Sequence, residues 1–212
     1  MIAPEGKFIL IPLFLLVLTG TGIHAYYPSE ELKWINLVIV LLIIFSLYFF
    51  RDPQRMLPAN EGFLSPADGK VTQIIDVEDT EIGSATQISI FLSIFNVHSQ
   101  RVPVSGKVLS KHYIPGKFLV AFNHQASMDN EHTVVAFEIE NGKRYKIKQI
   151  AGLIARRILN YMEPGDMVQQ GQRLGFIRFG SRVDIIVPRD FQIDVSLGDM
   201  VQGNKTIIGQ FQ

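Results

Sequence analysis

The sequence contains no cysteine. That excludes disulfides, thiolate metal sites and cysteine nucleophiles together, throws any chemistry onto oxygen and nitrogen groups, and leaves the redox compartment undetermined. An excess of charge is missing as well, because 20 Lys and Arg balance 20 Asp and Glu in 212 residues. Without a global positive field there is nothing to gather nucleic acid, so none is expected as a partner and any anion must be held locally. Histidine is sparse and poorly spaced for metal: His24, His98, His112, His124 and His132 include no His-x-His and no His-x-x-x-His pair. No metal site is expected.

What the chain does have is apolar sequence, 47% of it. Residues 8–27 and 34–50 form two apolar segments separated by the polar link Pro28-Ser29-Glu30-Glu31-Leu32-Lys33. The second, at about 1.5 Å of rise per residue, spans most of a hydrocarbon core, and Trp34 and Tyr48 suit its borders; the first is the weaker of the two, and whether it spans fully is left open. They read as a helical hairpin. Thr19-Gly20-Thr21-Gly22 interrupts the first segment with small residues of the kind that let membrane helices approach closely. A secretory signal is disfavoured because the second apolar run follows at once and no small-residue cleavage site intervenes. Lys7 precedes the first segment, Arg51 and Arg55 follow the second, and the link carries two glutamates. That asymmetry puts both ends in the cytoplasm. The expected organisation is a membrane anchor over residues 1–50 and a second domain over 51–212 on the cytoplasmic face of the cell membrane.

In the second domain the pattern is of strands. Residues 71–77, 86–94, 133–140 and 144–150 are short runs rich in β-branched residues. Asn141-Gly142 between the last two predicts a hairpin with a type I′ turn, and residues 150–161 suit a short helix. Two internal echoes stand out. Gly165-Asp166-Met167-Val168-Gln169 recurs 33 residues later as Gly198-Asp199-Met200-Val201-Gln202, and Ser65-Pro66-Ala67-Asp68-Gly69-Lys70-Val71 is echoed by Val102-Pro103-Val104-Ser105-Gly106-Lys107-Val108. The expected fold is a mainly β (α+β), barrel-sandwich-like domain with internal pseudo-symmetry, preceded by the transmembrane hairpin. It resembles the modules of lipoyl and biotinyl carriers, although neither Lys70 nor Lys107 has the methionine-flanked setting of a carrier lysine.

Near the C-terminus stands Arg178-Phe179-Gly180-Ser181-Arg182-Val183-Asp184. Gly-Ser alone is an ordinary loop dipeptide. It has company: Phe50-Arg51-Asp52-Pro53 leads into Pro66-Ala67-Asp68-Gly69, and then come Phe91-Leu92-Ser93 with His98 and Pro103, Tyr113-Ile114-Pro115-Gly116-Lys117-Phe118, and Ser127-Met128-Asp129-Asn130-Glu131-His132. In that order, from about Phe49 to the C-terminus, the chain resembles the phosphatidylserine decarboxylases, in their compact branch. Two positions depart. Arg101 stands where longer members carry a second histidine, and His132 stands where the family more often has arginine.

The resemblance implies self-cleavage between Gly180 and Ser181, with both fragments remaining associated. Ser181 becomes a pyruvoyl cofactor that forms a Schiff base with the substrate amine and accepts the electrons released with carbon dioxide. The implied substrate is a membrane phospholipid of the phosphatidylserine type, converted to the phosphatidylethanolamine type. His98 and Asp68, which alone read as a core histidine and a turn residue, become partners of Ser181 by the logic that a hydroxyl needs a base and the base an orienting group. Arg101, Arg156 and Arg157 are candidates for the substrate's anionic groups. Oligomeric state is left open. The competing reading is a membrane-tethered binding or carrier module without catalysis.

Overall fold

The computed structural model describes residues 1–118, 129–152, 158–178 and 181–212. It divides into two compact units, Met1–Gln54 and Arg55–Gln212, so the boundary falls just beyond the expected one.

In the first unit a 3-10 turn (Pro4–Gly6) leads into α1 (Lys7–Tyr26), and α2 (Glu30–Phe49) follows after a short link. Ser29 caps α2 by accepting the Leu32 amide at 3.3 Å, and Glu30 and Glu31 lie in the first turn, where the helix dipole favours negative charge. Both helices are long and apolar enough to cross a membrane. Their close approach explains Gly20: a Cβ there would lie 2.2 Å from Asn36 Oδ1. Gly22 faces open space instead. The Thr19 and Thr21 hydroxyls bond to carbonyls of their own helix, at 3.0 Å and 2.7 Å, so neither is left unsatisfied in an apolar setting.

The second unit is built from β1 (Phe63–Leu64), β2 (Gly69–Asp79), β3 (Gly83–Leu92), β4 (Ser99–Arg101), β5 (Gly106–Ile114), β6 (His132–Glu138), β7 (Arg144–Ile150), β8 (Ile158–Asn160), β9 (Met167–Val168), β10 (Arg173–Ile177), β11 (Ser181–Pro188), β12 (Gln192–Ile193), β13 (Met200–Val201) and β14 (Ile207–Gln210). Eight of these form one curled sheet in the order β13-β2-β3-β11-β7-β6-β5-β9. Two three-stranded sheets, β1-β14-β12 and β4-β10-β8, accompany it among the described residues.

The sequence echoes are the two halves of the large sheet. Each Gly-Asp-Met-Val copy pairs with one Gly-Lys-Val copy: Met200 with Lys70, and Met167 with Lys107. The backbone bonds repeat as well, Val71 N to Asp199 O and Val108 N to Asp166 O, both 2.9 Å. Gly198 and Gly165 have φ of 98° and 97°, a region that glycine enters without strain. Each long strand also has a register shift at the matching place, between Val71 and Gln73 and between Val108 and Ser110. The halves meet where β11 pairs with β7.

Strand alternation puts Val183, Ile185 and Val187 of β11 on the apolar side, with Ile88 and Ile90 of β3 and Tyr145 and Ile147 of β7. Aromatics close this core. Phe137 stacks on Tyr145 with centroids 4.8 Å apart, and Phe63 meets Tyr145 edge-on at 5.0 Å.

Two local expectations need correction. The β6–β7 hairpin forms as expected, but Gly142 has φ of 81° whereas Asn141 is not among the residues with positive φ. A type I′ turn needs both, so the connection is a longer one, closed by Gly142 N to Ile139 O at 2.9 Å. The helix expected over 150–161 is not borne out at its C-terminal end, where residues 158–160 form β8 and pair with β10. Residues 153–157 lie outside the described residues. Pairing with β10 outweighs a local preference that was weak over so short a run.

Candidate active site

Ser181 is the first residue of β11 and pairs with Leu92 at the end of β3. On the other side Arg182 pairs with Ile150, so the same register sets Ala151 level with Ser181. Ser181 is fully buried, and its Oγ is a buried polar atom without a hydrogen-bond partner. Buried hydroxyls are nearly always satisfied, so one that is not requires an explanation. The strand that carries it is held firmly from the reverse face. Arg182 and Asp184, both buried, bond at 2.6 Å, and Arg182 Nη2 reaches Gln73 Oε1 at 2.5 Å and Ser89 Oγ at 2.7 Å. These contacts tie β11 to β2 and β3.

His98 is completely buried and precedes β4. Its Nδ1 lies 2.9 Å from the Asn96 carbonyl. A carbonyl can only accept, so Nδ1 carries the proton and Nε2 is the basic nitrogen. The His98 carbonyl accepts from Ile177 N at 3.4 Å, at the end of β10. The chain leaves Ile177 beside His98 and re-enters the large sheet at Ser181 beside Leu92; residues 93–97 join Leu92 to His98. His98 is thus bonded to the last residue of β10, and Ser181 is paired with the last residue of β3.

A chain of side-chain amides, buried at Gln100 and Gln149 and half-buried at Asn160, supports this arrangement. Gln100 Nε2 donates to the His98 carbonyl at 2.7 Å, Gln149 Nε2 to Gln100 Oε1 at 3.0 Å, and Asn160 Nδ2 to Gln149 Oε1 at 2.7 Å. Gly175 makes room for it, since a Cβ there would lie 2.6 Å from Gln149 Nε2. The sequence did carry a signal for Gln149: it shares a strand face with the apolar Tyr145 and Ile147.

Among the described residues, the side-chain partners of Asp68 are Arg55 and Gly203 rather than His98. Arg55 holds both of its oxygens, at 2.5 and 2.8 Å, and the Gly203 amide donates to Oδ1 at 2.8 Å. Its link to His98 is indirect, through the turn that contains it: the Pro66 carbonyl accepts from Arg101 N, on β4, at 2.9 Å. Arg55, read from sequence only as a membrane-flanking charge, is thus part of the site's support.

The remaining candidates divide. Gly180, Arg156 and Arg157 lie outside the described residues. Arg101 is half-buried, directly across from Arg173 on β10, and by alternation it faces away from Gln100. The other two motifs meet each other: Lys117 bridges to Asn130, Gly116 is needed because a Cβ would lie 2.5 Å from the Asp129 carbonyl, and Asn130 Nδ2 donates to the Ala151 carbonyl at 2.8 Å. They therefore border the site at Ala151. Nearby, burial lowers the pKa of His132 from its ordinary value, the Asn130 carbonyl opposing. Burial also lowers that of Lys148, with Asp184 opposing and Arg182 adding to the effect. Lys70 and Lys107 lie within β2 and β5, not at a hairpin tip where a carrier lysine is modified.

The family model described as phosphatidylserine decarboxylase matches residues 42–209. The chain belongs to the phosphatidylserine decarboxylase family. Among its relatives, the phosphatidylserine decarboxylase proenzyme of Chlorobium chlorochromatii is 41% identical over all of both chains. That of Desulfotalea psychrophila is 44% identical over 86% of each. That of Pelobacter propionicus is 46% identical over 86% of this chain and 84% of its own. The matched region spans the ordered motifs from Asp68 to Ser181.

Proposed function

We propose that this protein is a membrane-anchored, pyruvoyl-dependent decarboxylase that matures by self-cleavage and converts a phosphatidylserine-type lipid to the phosphatidylethanolamine type and carbon dioxide. The observation that carries the reading is the buried, unpartnered Oγ of Ser181, the residue on the C-terminal side of the proposed cleavage bond.

Ser181 Oγ attacks the Gly180 carbonyl while His98 Nε2 takes its proton. The Gly180–Ser181 C–N bond breaks, the serine nitrogen is protonated, and an ester remains. Loss of the Gly180 carboxylate across the serine Cα–Cβ bond leaves dehydroalanine, whose hydrolysis releases ammonia and leaves the pyruvoyl. That group supplies a carbonyl conjugated to an amide, able to take up the electron pair released with carbon dioxide. His98 Nε2 then returns a proton to the substrate carbon that lost its carboxylate. Asp68 acts as a positioning residue, through Arg55 and the turn that leads to β4. Cleavage need not separate the fragments, because β11 hydrogen-bonds β3 on one side and β7 on the other. The pairing of the two apolar helices with flanking cations supports a cytoplasmic-face location.

The test is intact-mass analysis of the purified protein together with carbon dioxide release from a substrate labelled in its serine carboxylate. Two chains are expected, one ending at Gly180 and one beginning at position 181 and lighter than its plain sequence by one ammonia. A homogeneous, uncleaved and active chain would overturn the reading.

A further inference from the structure

Residues 93–96 form a β-turn whose central positions are Ile94 and Phe95. It closes twice, through Asn96 N to the Ser93 carbonyl at 3.0 Å and through Asn96 Oδ1, which accepts from Ser93 N at 2.9 Å and Ser93 Oγ at 2.8 Å. Such corners are normally filled by Gly, Asn, Asp, Ser or Pro. Here they carry an isoleucine and a phenylalanine, and Phe95 is 61% exposed. The flanking Leu92, Val97 and His98 are buried and Ile94 is half-buried, so Phe95 is the exposed point of a well-anchored turn. Residues 82–100 contain no Asp, Glu, Lys or Arg, so the segment itself carries no such charge into an apolar medium.

We propose that the tip formed by Ile94 and Phe95 dips into the bilayer interface and sets the mouth of the active site against the lipid surface. The proposal rests on the decarboxylase reading for its substrate. It commits to lipid as the occupant because the chain carries its own pair of helices long and apolar enough to cross a membrane. The domain they tether works beside a bilayer. The tip is coupled to the chemistry by a short rigid path: the residue after Phe95 is Asn96, whose carbonyl holds His98 Nδ1 at 2.9 Å. A membrane hairpin gives residence but no fixed orientation, and an aromatic wedge next to the catalytic histidine supplies the latter.

The test uses the full-length, cleaved protein. On vesicles of phosphatidylserine diluted in phosphatidylcholine, Phe95→Ser should raise the interfacial KM about tenfold, an effect on the scale of withdrawing one phenylalanine side chain from an apolar phase, with kcat unchanged. Phe95→Leu should restore most of the loss, and turnover of a short-chain, water-soluble substrate should be the same in all three proteins. Independently of activity, Phe95→Trp in a Trp34→Phe background places the single tryptophan at the tip. Its fluorescence should be quenched by brominated lipids. An unchanged vesicle KM for Phe95→Ser, or a Trp at position 95 that is blue-shifted but not quenched by lipid and so buried against protein, overturns the proposal. Failure of the wild type on both substrates would instead overturn the decarboxylase reading, and the quenching result would still decide the tip.

Discussion

Arg55 grips Asp68 with both ends of its guanidinium, Nη1 to Oδ1 at 2.5 Å and Nη2 to Oδ2 at 2.8 Å, while the same Nη1 reaches the Gly203 carbonyl at 2.7 Å. The pair is mostly buried, with side-chain exposures of 20% and 11%, so removing one partner strands the other. Arg55→Ala should cost about 2–3 kcal/mol, below the range for fully buried pairs, read as a lower denaturation midpoint. Arg55→Lys should recover only part of it, since an ammonium cannot repeat the fork. If Asp68 acts only through Arg55 and the turn, then Asp68→Asn and Arg55→Ala should slow self-cleavage non-additively in a double-mutant cycle. Additive effects would return Asp68 to direct contact with the reacting groups.

His98 and Ser181 are expected to separate cleanly by their roles. Ser181→Ala should stay a single folded chain with no decarboxylation, because no oxygen remains to attack Gly180. His98→Ala should fold and still cleave, at a rate lower by about 10²- to 10⁴-fold, the range for losing a positioned base. Gel analysis over hours to days after synthesis measures both. Cleavage of His98→Ala at the wild-type rate would remove it from maturation.

Much of this was legible in the chain. The hairpin followed from two apolar runs, four of the strands from β-branched runs, and the pseudo-symmetry from two echoes whose copies pair Met200 with Lys70 and Met167 with Lys107. The rest depended on contacts between residues far apart. Arg55 was read as a charge at the membrane edge because nothing local says that Asp68 will claim it. Ile158 to Asn160 looked helical because the strand that recruits them, β10, begins well downstream. Asn141 carried the signal for a two-residue turn, yet the last paired residues are Glu138 and Arg144, and that length selects a different turn.

The amide chain behind His98 gives a stability test. Gln149→Leu removes a donor to the fully buried Gln100 and an acceptor for the half-buried Asn160. Stranding those groups should cost about 2–4 kcal/mol, at about 1–3 kcal/mol for each unsatisfied group. It should also slow self-cleavage, since Gln100 holds the His98 carbonyl. A variant as stable as the wild type would mean that water or a rotated Gln100 takes over.

Acid should loosen the β2–β3 hairpin first. Burial pushes the Asp79 carboxyl up, but bonds from Lys146 and the Glu81 and Ile82 amides, with the Lys146 charge, outweigh burial and hold its pKa below the ordinary value. A carboxylate with a lowered folded-state pKa contributes stability that is full above its unfolded pKa and is lost as pH falls through the folded one. Melting temperatures should therefore decline below about pH 4, and Asp79→Asn should be less stable at pH 7 with a shallower acid decline. Parallel curves for the two proteins would assign the acid limb to other groups.

The last expectation concerns the helical hairpin and where to cut it away. A phosphatidylserine-type substrate keeps its acyl chains in the bilayer, so the β domain needs residence at the surface, whereas the proposed self-cleavage would use only groups inside that domain. The compact units divide after Gln54, and Arg55 must stay because Asp68 depends on it. A protein beginning at Arg55 should fold, cleave between Gly180 and Ser181, and turn over a short-chain soluble substrate at the full-length rate. One lacking Arg55 as well should mature more slowly. On long-chain lipid in vesicles the truncated protein should fall at least about tenfold behind the full-length one, because two spanning helices hold far more firmly than a surface patch. Some vesicle activity should remain through the Phe95 tip, and Phe95→Ser should reduce it further in the truncated protein than in the tethered one. The deciding quantity is the ratio of vesicle to short-chain activity across the four combinations of tether and tip. If deleting the helices leaves that ratio unchanged, the β domain binds membranes sufficiently by itself, and the hairpin has some purpose other than holding the enzyme to its substrate.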